Sequence, residues 1–221
     1  MMVWDAVWLS VRLATLTVLV LVVVATPLAW WLATSRNRLR PLVEALTALP
    51  LVLPPTVLGF FLLVLMGPET VIGGFWLRLT GDTLVFSFSG LLVASVIYSL
   101  PFAVQPLQGA FQNVGRGVTE AAATLGASRL DVFYSVVLPL SRRGYLIAAV
   151  MSFAHTIGEF GVVLMVGGNI PGRTRVISIE IFNAVETLDY RTAYQLSAGL
   201  MVFSFLVLVA VYILNRQGRL E

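Results

Sequence analysis

Four stretches of this chain carry no charged residue over a length that crosses a bilayer: Leu13–Ser35, Ala45–Pro68, Thr83–Gly115 and Thr192–Asn215. A hydrocarbon core of ~30 Å needs about 20 predominantly apolar residues in a helix rising 1.5 Å each. A fifth stretch, from Gly144 to about Val166, is interrupted only by His155 and Glu159. The pattern predicts an all-α integral membrane protein with five transmembrane helices, near 10–33, 44–66, 88–110, 144–166 and 193–214, in a single domain covering 1–221. The first stretch exceeds the 7–15-residue core of a signal peptide and ends in Trp30–Trp31 rather than at a small-residue cleavage site.

Composition closes off other classes. Apolar residues make up 58% and charged residues 11%, against about 25% charged in a soluble domain, too few to cover a water-facing surface. All 14 cations are Arg, with neither Lys nor Cys in the chain. Without Lys there is no Walker A phosphate loop and no Schiff-base or Ser–Lys chemistry. An intramembrane serine protease lacks its GxSG-type string. An ion-coupled secondary transporter, the different-class alternative, would need more intramembrane carboxylates than Glu159 or an internal repeat. No catalytic residue, metal ligand set or cofactor is expected in this chain, and no nucleic-acid partner.

Loop arginines give the orientation. Nine (Arg36, Arg38, Arg40, Arg116, Arg129, Arg142, Arg143, Arg216, Arg219) flank one side, whereas Arg12, Arg78, Arg173, Arg175 and Arg191 fall on the other. The richer side is expected to be cytoplasmic, with the N-terminus outside and the C-terminus inside.

The segment 111–143 between spans 3 and 4 is too long for a turn and too polar to span. Thr119 is placed to cap a short helix with Glu120 in its first turn, and Gly126 to end it. Ser128, with Asp131 three residues on, opens a second helix in capping-box fashion. Leu130, Phe133, Tyr134 and Val137 then share one face, and Pro139 closes the helix. Ala121, Ala122, Ala123 and Ala127 keep the pair small enough for another surface to approach closely.

The string Glu120-Ala-Ala-Ala-Thr-Leu-Gly126-Ala-Ser-Arg-Leu-Asp-Val-Phe133-Tyr-Ser-Val-Val-Leu138-Pro139 resembles the EAA loop of ABC-importer permeases, EAAxxxGAxxxxxFxxxxLP, at every signature position. The resemblance implies that the loop docks on a cytoplasmic ATPase subunit through Glu120, Ala121, Ala122, Ala123, Gly126, Ala127, Ser128 and Arg129. It also implies that ATP and Mg sit on that partner, with two ATPase subunits serving a homodimer of permease chains.

Three further strings narrow the branch: Leu49-Pro50-Leu-Val-Leu-Pro54-Pro55-Thr-Val-Leu-Gly59, Gly158-Glu159-Phe160-Gly161, and Gly168-Asn169-Ile-Pro171-Gly172-Arg173-Thr174-Arg175. Together they are similar to the molybdate/sulfate/tungstate branch of importer permeases, with molybdate the first cargo implied. An extracytoplasmic oxyanion-binding protein is the implied donor, with Asn169, Pro171, Arg173 and Arg175 as its contact candidates. Pro50, Pro54, Pro55, His155, Glu159, Phe160 and Gly161 are the pathway or gate candidates. Prolines at membrane depth free carbonyls and kink helices, which is tolerated only against protein or a water-lined cavity; Pro101 and Pro106 repeat the theme in span 3. His155 and Glu159, four apart, are expected on one helical face as a mutual pair. Family relatives often carry Arg at the position of His155, so a fixed cation there is weaker in this chain. With so little charge at mid-membrane, a tight oxyanion site within the spans is not expected, and selectivity is assigned to the binding protein. In the outer loop, 167–192, residues Val176–Leu188 are expected to form a helix at the outer interface with Ile177, Ile181, Ala184, Val185 and Leu188 as its apolar stripe.

Overall fold

A computed structural model describes residues 2–217, and among them the regular structure is helical throughout. Arg219, counted above with the cation-rich side, lies outside the described residues. Three helices are each long and apolar enough to cross a membrane: α1 (Met2–Thr34), α5 (Phe88–Val114) and α12 (Tyr190–Gln217). Two bent helix pairs raise the number of spans to as many as five. One joins α2 (Arg40–Val52) to α3 (Pro55–Leu65); the other joins the helical segment Arg129–Leu140 to α9 (Arg142–Gly158).

The centre is a three-helix packing of α1, α5 and α9. The guanidinium of Arg12 lies 4.6 Å from the ring centroid of Phe88, near the starts of α1 and α5. At their far ends Trp30 meets Phe111 edge-on at 5.6 Å, and Phe111 meets Tyr145 of α9 at 6.0 Å. So α1 and α5 run parallel and α9 antiparallel, which brings the arginine-bearing segments 36–40 and 116–143 to the same end of the bundle. The helices approach closely because small residues face one another: Ala25, Ala29, Ala94, Ala103 and Ala148 are buried. A Cβ on Gly144 would collide with the Cβ of Ala110. Packing through small side chains is how helices associate where lipid removes the hydrophobic drive.

The expected single span over 44–66 is broken. α2 and α3 meet at 112°, because Pro54 and Pro55 remove two consecutive N–H donors and push the residues before them out of the helical region. Leu53 (ψ 136°) and Pro54 (ψ 135°) are both extended. Pro101 and Pro106, each alone, leave α5 continuous. The fourth expected span also breaks. α9 ends at Gly158, Glu159 is extended (φ −67°, ψ 132°), and α10 (Gly161–Gly167) begins anew.

Between α3 and α5 lies α4 (Val71–Thr80), a helix not anticipated from the charge-free runs. Thr70 caps it by accepting from the N–H of Gly73, and Gly81 ends it at φ +76°. α11 (Ile177–Glu186) fills the expected place of the outer-loop helix, but its buried line is Ser178, Ile179, Glu180 and Ala184. Leu188 and Val185 of the expected stripe are exposed. The helix is rolled inward because its first N–H, on Ile177, donates to Ser10 Oγ of α1 at 2.7 Å. Burial of Glu180 is made tolerable by Arg175.

Candidate functional site

The loop after α5 folds as a projection from the bundle end. α6 (Arg116–Thr124) starts before Thr119, so Thr119 lies inside the helix and is not its N-cap. The helix is ended by Gly126 at φ +90°, with the N–H of Ala127 donating to the carbonyl of Ala122. A left-handed residue at a helix C-terminus favours Gly, which has no Cβ to clash. α7 (Arg129–Val132) then opens with the full capping box: Ser128 Oγ accepts from the Asp131 N–H, and the Asp131 carboxylate accepts from the Ser128 N–H. The Ser128 hydroxyl, followed by its N–H, holds the Asp131 carboxyl below the usual carboxylate range.

Pro139 does not close this helix. The chain passes through a π-helical turn, Phe133–Val137, into α8 (Leu138–Leu140), and turns by 69° only at Ser141. Pro139 cannot donate to the carbonyl four residues back, and the wider turn absorbs that defect, with the N–H of Leu138 donating to Phe133 O. The extra residue per turn also rotates the faces. Val132 and Val137 are buried and Phe133 is partly so, whereas Leu130 and Tyr134, expected beside them, are 69% and 63% exposed.

This rotation divides the loop into two surfaces. Inward, Ala122, Ala127 and Phe133 pack on the core cluster of Leu32, Leu107 and Phe111, and Phe133 meets Trp30 at 5.5 Å and Phe111 at 6.1 Å. Outward, Glu120, Ala121 and Arg129 are exposed. Leu125 is 90% exposed on the turn itself. Leu125 falls within the stretch 120–129 expected to dock, whereas Leu130 and Tyr134 lie beyond it.

The proline and GEFG strings meet in space. A Cβ on Gly59 would lie 2.8 Å from the Cβ of Met165, and one on Gly161 would lie 2.7 Å from the Cβ of Pro55. α3 and α10 are therefore in close contact across both breaks, with Pro55 and Gly161 at the junction. Pro50 is buried within α2, and Phe160 stacks obliquely on Phe182 of α11 at 5.1 Å.

His155 and Glu159 do not pair. His155 Nδ1 lies 2.9 Å from Ser99 Oγ, and its ring stacks on Phe102 at 3.9 Å and leans on Tyr98 at 4.9 Å. Glu159 is buried, and neither carboxylate oxygen has a hydrogen-bond partner among the described residues. Its backbone carbonyl accepts from Ser178 Oγ at 2.5 Å, tying the break to α11.

The loop after α10 is pinned rather than free. Arg173 reaches Asp82 at 2.9 Å, with both side chains more than half exposed. Arg175 is mostly buried; it donates to Asn169 Oδ1 and approaches Glu180 at 3.5 Å. Of the four expected contact residues, Asn169, Pro171 and Arg173 are exposed, and Arg175 is an internal tie. Among the described residues no cluster of three or more His, Asp or Glu could hold a metal.

Residues 25–219 match the family model described as binding-protein-dependent transport system inner membrane component. The chain is 55% identical to the molybdenum transport system permease protein ModB of Azotobacter vinelandii, over 94% of this chain and 92% of that protein. It is 35% identical to the sulfate transport system permease protein CysT of Salmonella typhimurium, over 87% of this chain and 69% of that one. A bacterial alginate ABC transporter, solved in complex with an alginate pentasaccharide-bound periplasmic protein, shares the fold. That comparison gives a TM-score of 0.69 at 17% identity, covering 97% of this chain and 77% of the transporter chain.

Proposed function

Because this chain belongs to the family of binding-protein-dependent transport system inner membrane components, we propose that it is the permease subunit of an ABC importer whose cargo is an oxyanion, molybdate first. The loop built on the EAA string carries the proposal: it projects from the bundle with an uncovered apolar tip at Leu125 and is keyed into the spans through Phe133. An apolar surface of this kind on a water-facing projection marks a protein contact, and the partner is a cytoplasmic ATPase subunit. Glu120, Ala121, Leu125, Arg129 and Leu130 form the docking face, and ATP and Mg stay on that partner.

Two such chains form the path, one loop per ATPase. Closure of the ATPase pair on ATP draws the loops together; the Trp30–Phe111–Phe133 contacts pass that displacement to α1 and α5. The spans open outward, an extracytoplasmic binding protein resting on Asn169, Pro171 and Arg173 releases the anion, and hydrolysis reverses the state. Each conformation is favoured by a different ligand state, as alternating access requires. The arginine-rich bundle end is cytoplasmic in this arrangement, and the N-terminus lies outside.

The relative from Salmonella typhimurium keeps sulfate as the second reading, with thiosulfate and tungstate in the same chemical class. The test is reconstitution of the chain with its ATPase and binding protein, measuring molybdate-stimulated ATP hydrolysis and uptake in competition with tungstate and sulfate. Glu120→Arg is expected to abolish association with the ATPase. Intact assembly and uptake in that variant would refute the docking assignment.

A further inference from the structure

On one face of α5, Tyr98, Phe102 and Gln105 follow at i, i+4 and i+7, and Gln105 is exposed. The helix, 27 residues from Phe88 to Val114, is roughly 40 Å long against a ~30 Å hydrocarbon core. Gln105 stands nine residues from its C-terminal end, below the headgroups of a bilayer normal to the helix. An exposed amide at that depth does not face lipid; such groups face protein or a water-filled cavity. The same face holds the imidazole of His155, stacked on Phe102 and touched by Tyr98, with part of the side chain still accessible.

The ring is held by hydroxyls. Ser99 Oγ lies 2.9 Å from His155 Nδ1 and 3.0 Å from Thr156 Oγ1. Ser99 has one hydroxyl proton for two neighbours. When Thr156 donates to Ser99 and Ser99 donates to Nδ1, the imidazole proton resides on Nε2, the nitrogen farther along the ring.

We propose that this face is an oxyanion-contact site on the transport path, in which the Nε2–H of His155 and the amide of Gln105 donate hydrogen bonds to the tetrahedral anion as it passes. The inference rests on the importer reading above and adds the residues that replace water around the cargo. Its chemistry suits passage rather than retention. Neutral donors compensate part of the anion's lost hydration, while no fixed cation on this face holds it; conduction needs binding strong enough to enter and weak enough to leave. Ser99 and Thr156 are positioning residues, acting through the imidazole.

The test uses the whole transporter in proteoliposomes, with labelled molybdate as the probe. His155 is the only histidine of the chain, so 15N-histidine labelling of this subunit before assembly gives one imidazole to read. The expected spectrum has a protonated Nε2 and a bare Nδ1, and Ser99→Ala or Thr156→Val is expected to mix the tautomers. His155→Ala and Gln105→Ala should each slow uptake about tenfold, the loss of one hydrogen bond to a charged group. His155→Gln, which restores an amide N–H near the Nε2 position, should stay within about threefold of the parent. Gln105 is exposed, so its variant reports on the site without a folding penalty. Uptake within about twofold of the parent in both alanine variants, or a protonated Nδ1 with a bare Nε2, overturns the site. Failure of the unsubstituted transporter to move any oxyanion overturns the importer reading itself.

Discussion

Gly59→Ala is the sharpest test of how the two broken spans are joined. The new Cβ would stand 2.8 Å from Met165 Cβ, 3.1 Å from Met165 Cγ and 3.1 Å from Val162 Cα. Met165 can rotate its Cγ away, but Val162 Cα is backbone, so α3 and α10 must part. Restoring contacts of 3.4–4 Å needs a displacement of about 0.5–1 Å, and overpacking of this kind costs about 1–3 kcal/mol. Alanine in place of glycine inside a helix returns about 0.5–1 kcal/mol, leaving a net loss of about 1 kcal/mol at mid-range and at most about 2.5 kcal/mol. At about 2–4 °C per kcal/mol for a chain of this size, the melting temperature should fall by roughly 2–10 °C. Thermal unfolding of the purified chain in detergent reads this directly. Gly117→Ala serves as the control: it also lies in a helix, but a Cβ there meets nothing within 4 Å, and its melting temperature should hold or rise. An unchanged melting temperature in Gly59→Ala, or an equal fall in the control, would refute the close packing of α3 on α10.

Three other outcomes follow from the geometry. Leu125→Glu places a charge on a side chain that is 90% exposed, so the chain should fold normally yet lose co-purification with its ATPase; retained binding would remove Leu125 from the docking face. Arg175→Ala leaves Glu180 buried without its cation and should cost about 3–5 kcal/mol. Arg173→Ala opens only the exposed pair with Asp82 and should cost under about 1 kcal/mol; equal melting temperatures for the two variants would contradict this ranking. The Asp131 carboxyl is held down first by the Ser128 hydroxyl. With a folded-state value below the unfolded one, its capping contribution is fully present above about pH 4 and is lost as pH falls through the lower folded value. A carboxyl titration followed by NMR should show the midpoint rising in Ser128→Ala, and an identical midpoint in both forms would refute the assignment.

The sequence by itself carried the all-α membrane class and the local turns of the 111–143 loop, because each rests on local chemistry. A charge-free run reports burial in lipid wherever its neighbours are, and the Gly126 turn and the Ser128–Asp131 box close within a few residues of chain. What the tertiary structure decided were the features that depend on a partner or on accumulated rotation. Pro54–Pro55 breaks the chain outright, whereas Pro101 and Pro106 do not interrupt α5. His155 and Glu159 do not pair, because the imidazole is taken up by Ser99, Tyr98 and Phe102 of α5. Tyr134 faces outward within a π-helical turn that adds residues to the period, and the first N–H of α11 is held by a serine on α1. Periodicity along one helix fixes which residues share a face only while the helix is regular and continuous. Where it breaks or widens, the direction a side chain takes is set by contacts distant in the chain, which no local pattern encodes.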